Sequence, residues 1–212
     1  MAIVTLVFSC SPVQHTPKTI SLPPSEEQKP SEPESEEPII EQPSDNLYYL
    51  INSDPSGVDN TNLPITPTEK LSRTAPAPEL NIREYRLTID GLVETPLILT
   101  HEEIMEYPAV TEVMLLICPG VFADNAEWTG VPVTTLLAEA GIKPQASMVA
   151  FRALDGFHRV LSLEVIQQDG VFLAHTVNGE ILPLEHGYPL RLVVRGQYGM
   201  EWVKWIEHIE VL

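Results

Sequence analysis

Two short segments of this chain carry residues that could do chemistry. Cys118 closes the apolar run Val113-Met114-Leu115-Leu116-Ile117 and is followed at once by Pro119-Gly120. A thiol on the last residue of a strand, with a turn behind it, can face a pocket framed by backbone; the same position suits a small buried hydrophobe equally well. The second segment reads Leu184-Glu185-His186-Gly187-Tyr188-Pro189-Leu190-Arg191, then Gly196-Gln197-Tyr198-Gly199 and Trp202-Val203-Lys204-Trp205. His186, Arg191 and Lys204, close to turn glycines, offer an anion such as a phosphate both fixed donors and approachable backbone amides. Against that, a histidine before glycine also suits a plain turn, and the stem of Lys204 could merely cover the tryptophans beside it.

The elements that must position these residues read as a β-rich body with a few short helices. Tyr85 to Asp90 alternates apolar and polar residues and stops at Gly91, the pattern of a half-buried strand. Thr100-His101-Glu102-Glu103 has capping-box spacing and opens a short helix ending before Pro108. The run from Val113 to Cys118 is too short for a helix and predicts a buried strand. Thr134 to Ala140 predicts a helix with Gly141 at its C-terminal cap. Met148 to Ala153 and His158 to Leu163 flank Asp155-Gly156 as a hairpin, Asn178-Gly179 marks a second, and Leu190 to Arg195 and Ile206 to Val211 supply the last strands. Arg152 and Arg159 are expected to face solvent or a salt bridge. The fold class is α+β, a β-dominated mixed domain preceded by a disordered tail.

That tail is visible in the distribution of proline and tryptophan. Thirteen of the twenty prolines precede residue 79, whereas Trp128, Trp202 and Trp205 all follow it, so tail and body differ in kind. Residues 11–46 are rich in Pro, Glu and Ser with no aromatic residue, and cannot bury enough apolar surface to offset chain entropy. The division that follows is a leader-like segment over 1–10, a disordered tether over 11–60 and the body over 61–212. In the leader, Ala2 to Phe8 is too short to span a bilayer, and Val7-Phe8-Ser9-Cys10 resembles a bacterial lipobox, whose cysteine is lipidated. The expectation is an extracytoplasmic protein of the cell envelope or surface, held to the membrane only by a lipid anchor at Cys10. With 12 basic against 30 acidic residues, a net charge of -18, the chain repels nucleic acid and is not expected to bind it. Its two cysteines cannot form a disulfide framework or a four-cysteine metal site.

Five blocks, in order from about Arg83 to Leu212, resemble the sulfite oxidase-like molybdopterin-binding family. They are Tyr85-Arg86-Leu87-Thr88-Ile89-Asp90-Gly91-Leu92-Val93-Glu94; Cys118-Pro119-Gly120 with Glu127-Trp128-Thr129-Gly130-Val131-Pro132; Asp155-Gly156; Val177-Asn178-Gly179-Glu180-Ile181-Leu182-Pro183; and His186 to Trp205. The resemblance implies the family's molybdopterin-binding fold and a molybdenum-molybdopterin cofactor, with Cys118 as the catalytic residue and the one protein ligand to the metal. It implies cofactor contacts by Asp155, His186, Arg191, Trp202, Val203 and Lys204, the stretch from Gln197 to Val203 acting through its backbone. The activity implied is two-electron oxygen-atom transfer on a small molecule such as a sulfoxide, with electrons exchanged through a redox partner such as a cytochrome or quinone-linked protein. Trp128, Tyr198 and Arg73 are the expected pocket walls. Where sulfite oxidases carry Arg-Asn-His ahead of the first strand this chain reads Ser72-Arg73-Thr74-Ala75-Pro76, and Glu201 stands at a commonly basic position, which argues against sulfite itself. Two other readings stand beside this one. The first is a non-catalytic surface lipoprotein that keeps the fold as a binding module without cofactor. The second, a lone-thiolate redox sensor at Cys118, needs an exposed thiol that a strand end after Leu115-Leu116-Ile117 disfavours.

Overall fold

In the computed structural model, which describes residues 47–212, the alternation before Gly91 becomes β1 (Leu87–Gly91), with Leu87 and Ile89 buried and Thr88 and Asp90 half-buried. β1 pairs antiparallel with β2 (Leu97–Leu99), and Thr100 then caps α1 (His101–Ile104) with the expected reciprocal hydrogen bonds to Glu103. The apolar run forms the end of β3 (Val110–Cys118). It pairs along its whole length with β4 (Phe122–Pro132), which leads into α2 (Val133–Ala140), and Gly141 follows at the helix cap. The expected hairpin is β5 (Met148–Ala153) and β6 (His158–Ser162), followed by α3 (Leu163–Ile166). β7 (Val171–Val177) turns through Asn178-Gly179 into β8 (Glu180–Ile181), and β9 (Arg191–Val194) and β10 (Ile206–Val211) complete the strands.

The strands form two five-stranded sheets among the described residues. One has the order β2-β1-β10-β5-β6, in which only β1 and β10 run parallel; the other has β3-β4-β7-β8, with β9 also paired to β7. One large core cluster draws Leu87 and Ile89 from the first sheet and Met114, Leu116, Trp128 and Phe172 from the second. Gly130 marks the irregularity where β4 crosses onto β7, and a Cβ there would fall 2.0 Å from the Leu173 carbonyl oxygen, so the close approach requires glycine.

The expected tether ends earlier than residue 60. Residues 47–60 include 3₁₀ turns at Leu47–Leu50 and Pro55–Gly57, and Leu47 and Ile51 are buried in a second cluster with Leu115, Ile117 and Ala123. This correction follows from β3 itself. Met114 through Ile117 are all buried, which uses both faces of the strand, and Leu115 and Ile117 point to the face that this arm covers. Burying Leu47 and Ile51 is worth about 1.5–3 kcal/mol each, enough to hold a short segment in place. The arm continues along β4: Thr66 N donates to the Asn125 carbonyl at 2.7 Å, and Ser72 N donates to Asp124 Oδ2 at 2.8 Å. The leader and residues 11–46 of the tether lie outside the described residues.

Candidate active site

A cavity of about 340 Å³ collects the chemistry-bearing side chains from both sheets. Cys118 stands at the end of β3 and Phe122 at the start of β4; Asp155, Phe157 and Arg159 come from the β5–β6 hairpin, and Arg191 from the start of β9. Gly199, Met200, Trp202, Lys204 and Trp205 line the segment before β10, and Thr74 and Ala75 of the arm complete the wall. The Cys118 thiol is partly buried, which pushes its pKa up, so it holds its proton until a cation draws it off.

Two cations, Arg191 buried and Lys204 half-buried, are fixed by backbone carbonyls. The Arg191 guanidinium donates from Nη1 to the His186 carbonyl at 3.0 Å and lies over the rings of Trp128 and Trp202, 5.3 and 5.8 Å from their centroids. Burial pulls its pKa down to about 10. Lys204 Nζ donates to the Glu185 carbonyl at 3.1 Å and sits 4.1 Å from the Trp205 ring centroid; burial, and then the Arg191 charge, brings its pKa down to about 8. Trp205 has a left-handed φ of 55° and is held there by its Nε1, which donates to the Leu184 carbonyl at 2.6 Å. Gly187 separates the two cations. With φ 121°, it leaves room that a Cβ would fill at 3.0 Å from Arg191 Cβ and 3.3 Å from Lys204 Cα.

Of the residues singled out in the sequence, Cys118, Asp155, Arg191, Trp202 and Lys204 meet on the cavity wall. His186 and Val203 lie behind it. His186 is buried and its imidazole, with a pKa brought down to about 4 by burial and then by Arg191, is neutral at pH 7. Val203 is buried and its carbonyl accepts from Leu192 N at 2.8 Å, tying β9 to the lining segment. Asp155 Oδ1 accepts from Phe157 N at 2.9 Å, which shapes the hairpin turn. The expected walls Trp128 and Tyr198 are set back, the first under Arg191 and the second against the arm's cluster. Arg73 turns outward to Glu185 at 3.0 Å, leaving its neighbours Thr74 and Ala75 at the wall. Arg159 makes the salt bridge expected of it, to Glu201, yet lines the cavity as well. Its signal was the Asp155-Gly156 turn, which brings the next residues of β6 to the same place.

These residues fit the group that the resemblance implies. Among the described residues no three His, Cys, Asp or Glu side chains gather to hold a metal, so a metal at Cys118 must arrive with ligands of its own. Molybdenum bound through the sulfurs of molybdopterin does so, and a thiolate suits it. Arg191 Nε and Trp202 Nε1 are buried N–H groups without an acceptor, and both belong to residues of the wall. A group rich in acceptors and carrying an anion answers both those donors and the two cations.

Comparison with known proteins points the same way. The profile of a family described as "Oxidoreductase molybdopterin binding domain" matches residues 74–212. The nitrate reductase [NADPH] of Phytophthora infestans is 32% identical over 166 residues, covering 64% of this chain and 18% of that protein. The protein-methionine-sulfoxide reductase catalytic subunit MsrP of Gluconobacter oxydans (strain 621H) is 33% identical over 146 residues, covering 60% of this chain and 47% of its own length. The crystal structure of the sulfane dehydrogenase SoxCD from Paracoccus pantotrophus superimposes with a TM-score of 0.65 at 34% identity, over 74% of this chain and 45% of that one. This chain therefore spans less than half the length of these three relatives.

Proposed function

Because the chain belongs to the oxidoreductase molybdopterin-binding domain family, whose cofactor is molybdopterin, we propose that it carries out two-electron oxygen-atom transfer on a small molecule with Cys118 as the protein ligand to molybdenum. The observation that carries this reading is the meeting of one thiol, Cys118, with Arg191, Lys204 and Asp155 around a single cavity. When bound, the cofactor supplies the oxygen-atom transfer and stores the two electrons. The chain's own residues hold and orient it. Cys118 would give up its proton on ligation, the metal's charge outweighing the burial that raises the thiol's pKa. Arg191 and Lys204 would receive anionic oxygens, each aimed by the carbonyl to which it donates. His186 would act through its carbonyl, Asp155 would accept from the pterin, and Trp202 and Val203 would set the wall behind it.

Lipid anchoring at Cys10, extracytoplasmic placement and electron exchange with a cytochrome or quinone-linked protein belong to the same proposal. The first two rest on the lipobox-like Val7-Phe8-Ser9-Cys10 and the Pro/Glu/Ser-rich spacer behind it, the third on the family resemblance. Among the described residues no helix is long and apolar enough to cross a membrane. The test is elemental analysis for molybdenum and tungsten on the full chain from a host that makes the cofactor, beside Cys118→Ser. Near-stoichiometric metal in the wild type, with activity lost in the folded variant, is the expected result. A folded wild type without metal, even after reconstitution, would overturn it in favour of a binding module.

A further inference from the structure

Arg159 is the third cation on the cavity wall, and unlike Arg191 and Lys204 it makes an ion pair with a carboxylate among the described residues. Its Nε donates to the Met200 carbonyl at 3.1 Å and stands 3.7 Å from Glu201 Oε2, while the guanidinium lies over the Phe157 ring at 4.7 Å. Met200 and Glu201 belong to one 3₁₀ turn, Gly199–Glu201, seated against β3 through Gly199, whose Cα leaves no more than 3.0 Å between a Cβ and the Leu116 side chain. The turn therefore presents a carbonyl and a carboxylate to the same guanidinium. This edge of the cavity reaches solvent, since Phe157 is 40% and Met200 55% exposed, so an incoming substrate passes it.

We infer that Glu201 is a specificity-determining residue: by cancelling the charge of Arg159 at the cavity's open edge, it admits neutral oxygen donors or acceptors and turns anions away. The inference rests on the cofactor reading above and deepens it. With Glu201 beside Arg159, Asp124 within electrostatic reach of Arg191, and Asp155 and Glu185 within reach of Lys204, these cations carry no excess of positive charge, and a cofactor bearing a phosphate turns the site negative. Apolar Phe157 and Met200 beside the pair favour an uncharged substrate with an apolar group next to its reacting oxygen.

The experiment titrates inorganic sulfate into the full-length, metal-quantified holoprotein by calorimetry, for wild type, Glu201→Gln, Glu201→Asp and the double variant Arg159→Gln/Glu201→Gln. Expected is weak binding to wild type and a gain of about five- to tenfold in Glu201→Gln, where Arg159 is released to the anion. Glu201→Asp keeps the charge and should stay as weak as wild type, and the double variant should lose the gain. A Glu201→Gln protein that binds sulfate no better, or a gain that survives removal of Arg159, overturns the inference. Metal content separates the two levels. Full metal with no gain removes the charge filter alone, whereas chains that take up no metal remove the cofactor reading and the filter with it.

Discussion

The Arg191 guanidinium donates to the carbonyl oxygen of His186, five residues earlier, at 3.0 Å, so His186 reaches the cavity through its main chain while its ring stays behind the wall. Gly187 makes that loop possible, because its φ of 121° and missing side chain leave the space in which Arg191 and Lys204 approach. Gly187→Ala should therefore strain the loop by about 1–3 kcal/mol. Denaturant unfolding should register the loss, and metal retention should fall with it; an alanine variant as stable and as metal-loaded as wild type would remove this role.

Arg191 is charged, buried and without a carboxylate in contact, and its lowered pKa means that the folded chain disfavours its charge. Arg191→Met should consequently leave the cofactor-free protein melting within a few degrees of wild type, since the lost bond to His186 is offset by relief of the buried charge. Cofactor retention should collapse in the same variant. Melts with and without cofactor separate the two effects.

Lys204 gives the pH dependence. Its pKa in the cofactor-free fold is about 8, below its ordinary value of 10.5, so between these values the unfolded chain binds more protons than the folded one. The contribution of Lys204 to the stability of the cofactor-free protein, read as the difference between wild type and Lys204→Met, should then rise with pH across that window. Anion capture runs the other way, because it needs the ammonium: cofactor affinity should begin to fall as pH rises past about 8. In Lys204→Met the fall past pH 8 should be absent, because the Arg191 guanidinium keeps its charge. Affinity measured over pH 7–10 in both proteins checks the sign, and identical profiles would exclude Lys204.

Ile51 tests whether the arm belongs to the body. It is 6% exposed and packs with Leu115 and Ile117. Ile51→Ala should cost about 2–4 kcal/mol in a two-state denaturant titration, and an effect near zero would make the arm a loosely attached strap.

Much of the body was legible because local pattern and tertiary role agree there. The Thr100 capping box, the Asn178-Gly179 hairpin and the Gly141 helix end each carry their instruction within a few residues. β4 has no strand signal in the sequence, since Asp124, Asn125, Glu127, Gly130 and Pro132 break the alternation and the apolar run that mark a strand. Its buried polar groups are tolerable only because the arm bonds them, through Ser72 to Asp124 and through Thr66 and Asn60 to Asn125. The arm was misread for the reciprocal reason: Leu47 to Ile51 follow an acidic Pro-rich stretch, and their partners on β3 were already counted as interior. Family resemblance brought Cys118, Arg191 and Lys204 together, but no local pattern could pair Arg159 on β6 with Glu201 in a later turn.

The position of β10 sets when the cavity can exist. It lies in the middle of the first sheet, between β1 and β5, although its residues, Ile206–Val211, come after every other strand of that sheet in sequence. A chain stopped before Ile206 has two hairpins, β1–β2 and β5–β6, with no strand to pair them into one sheet. Asp155, Phe157 and Arg159 ride on the second hairpin, and Lys204 and Trp205 immediately precede the missing strand. No chain lacking β10 therefore offers a formed binding cavity, and a cofactor can be held only once this closing strand has been laid between the two hairpins.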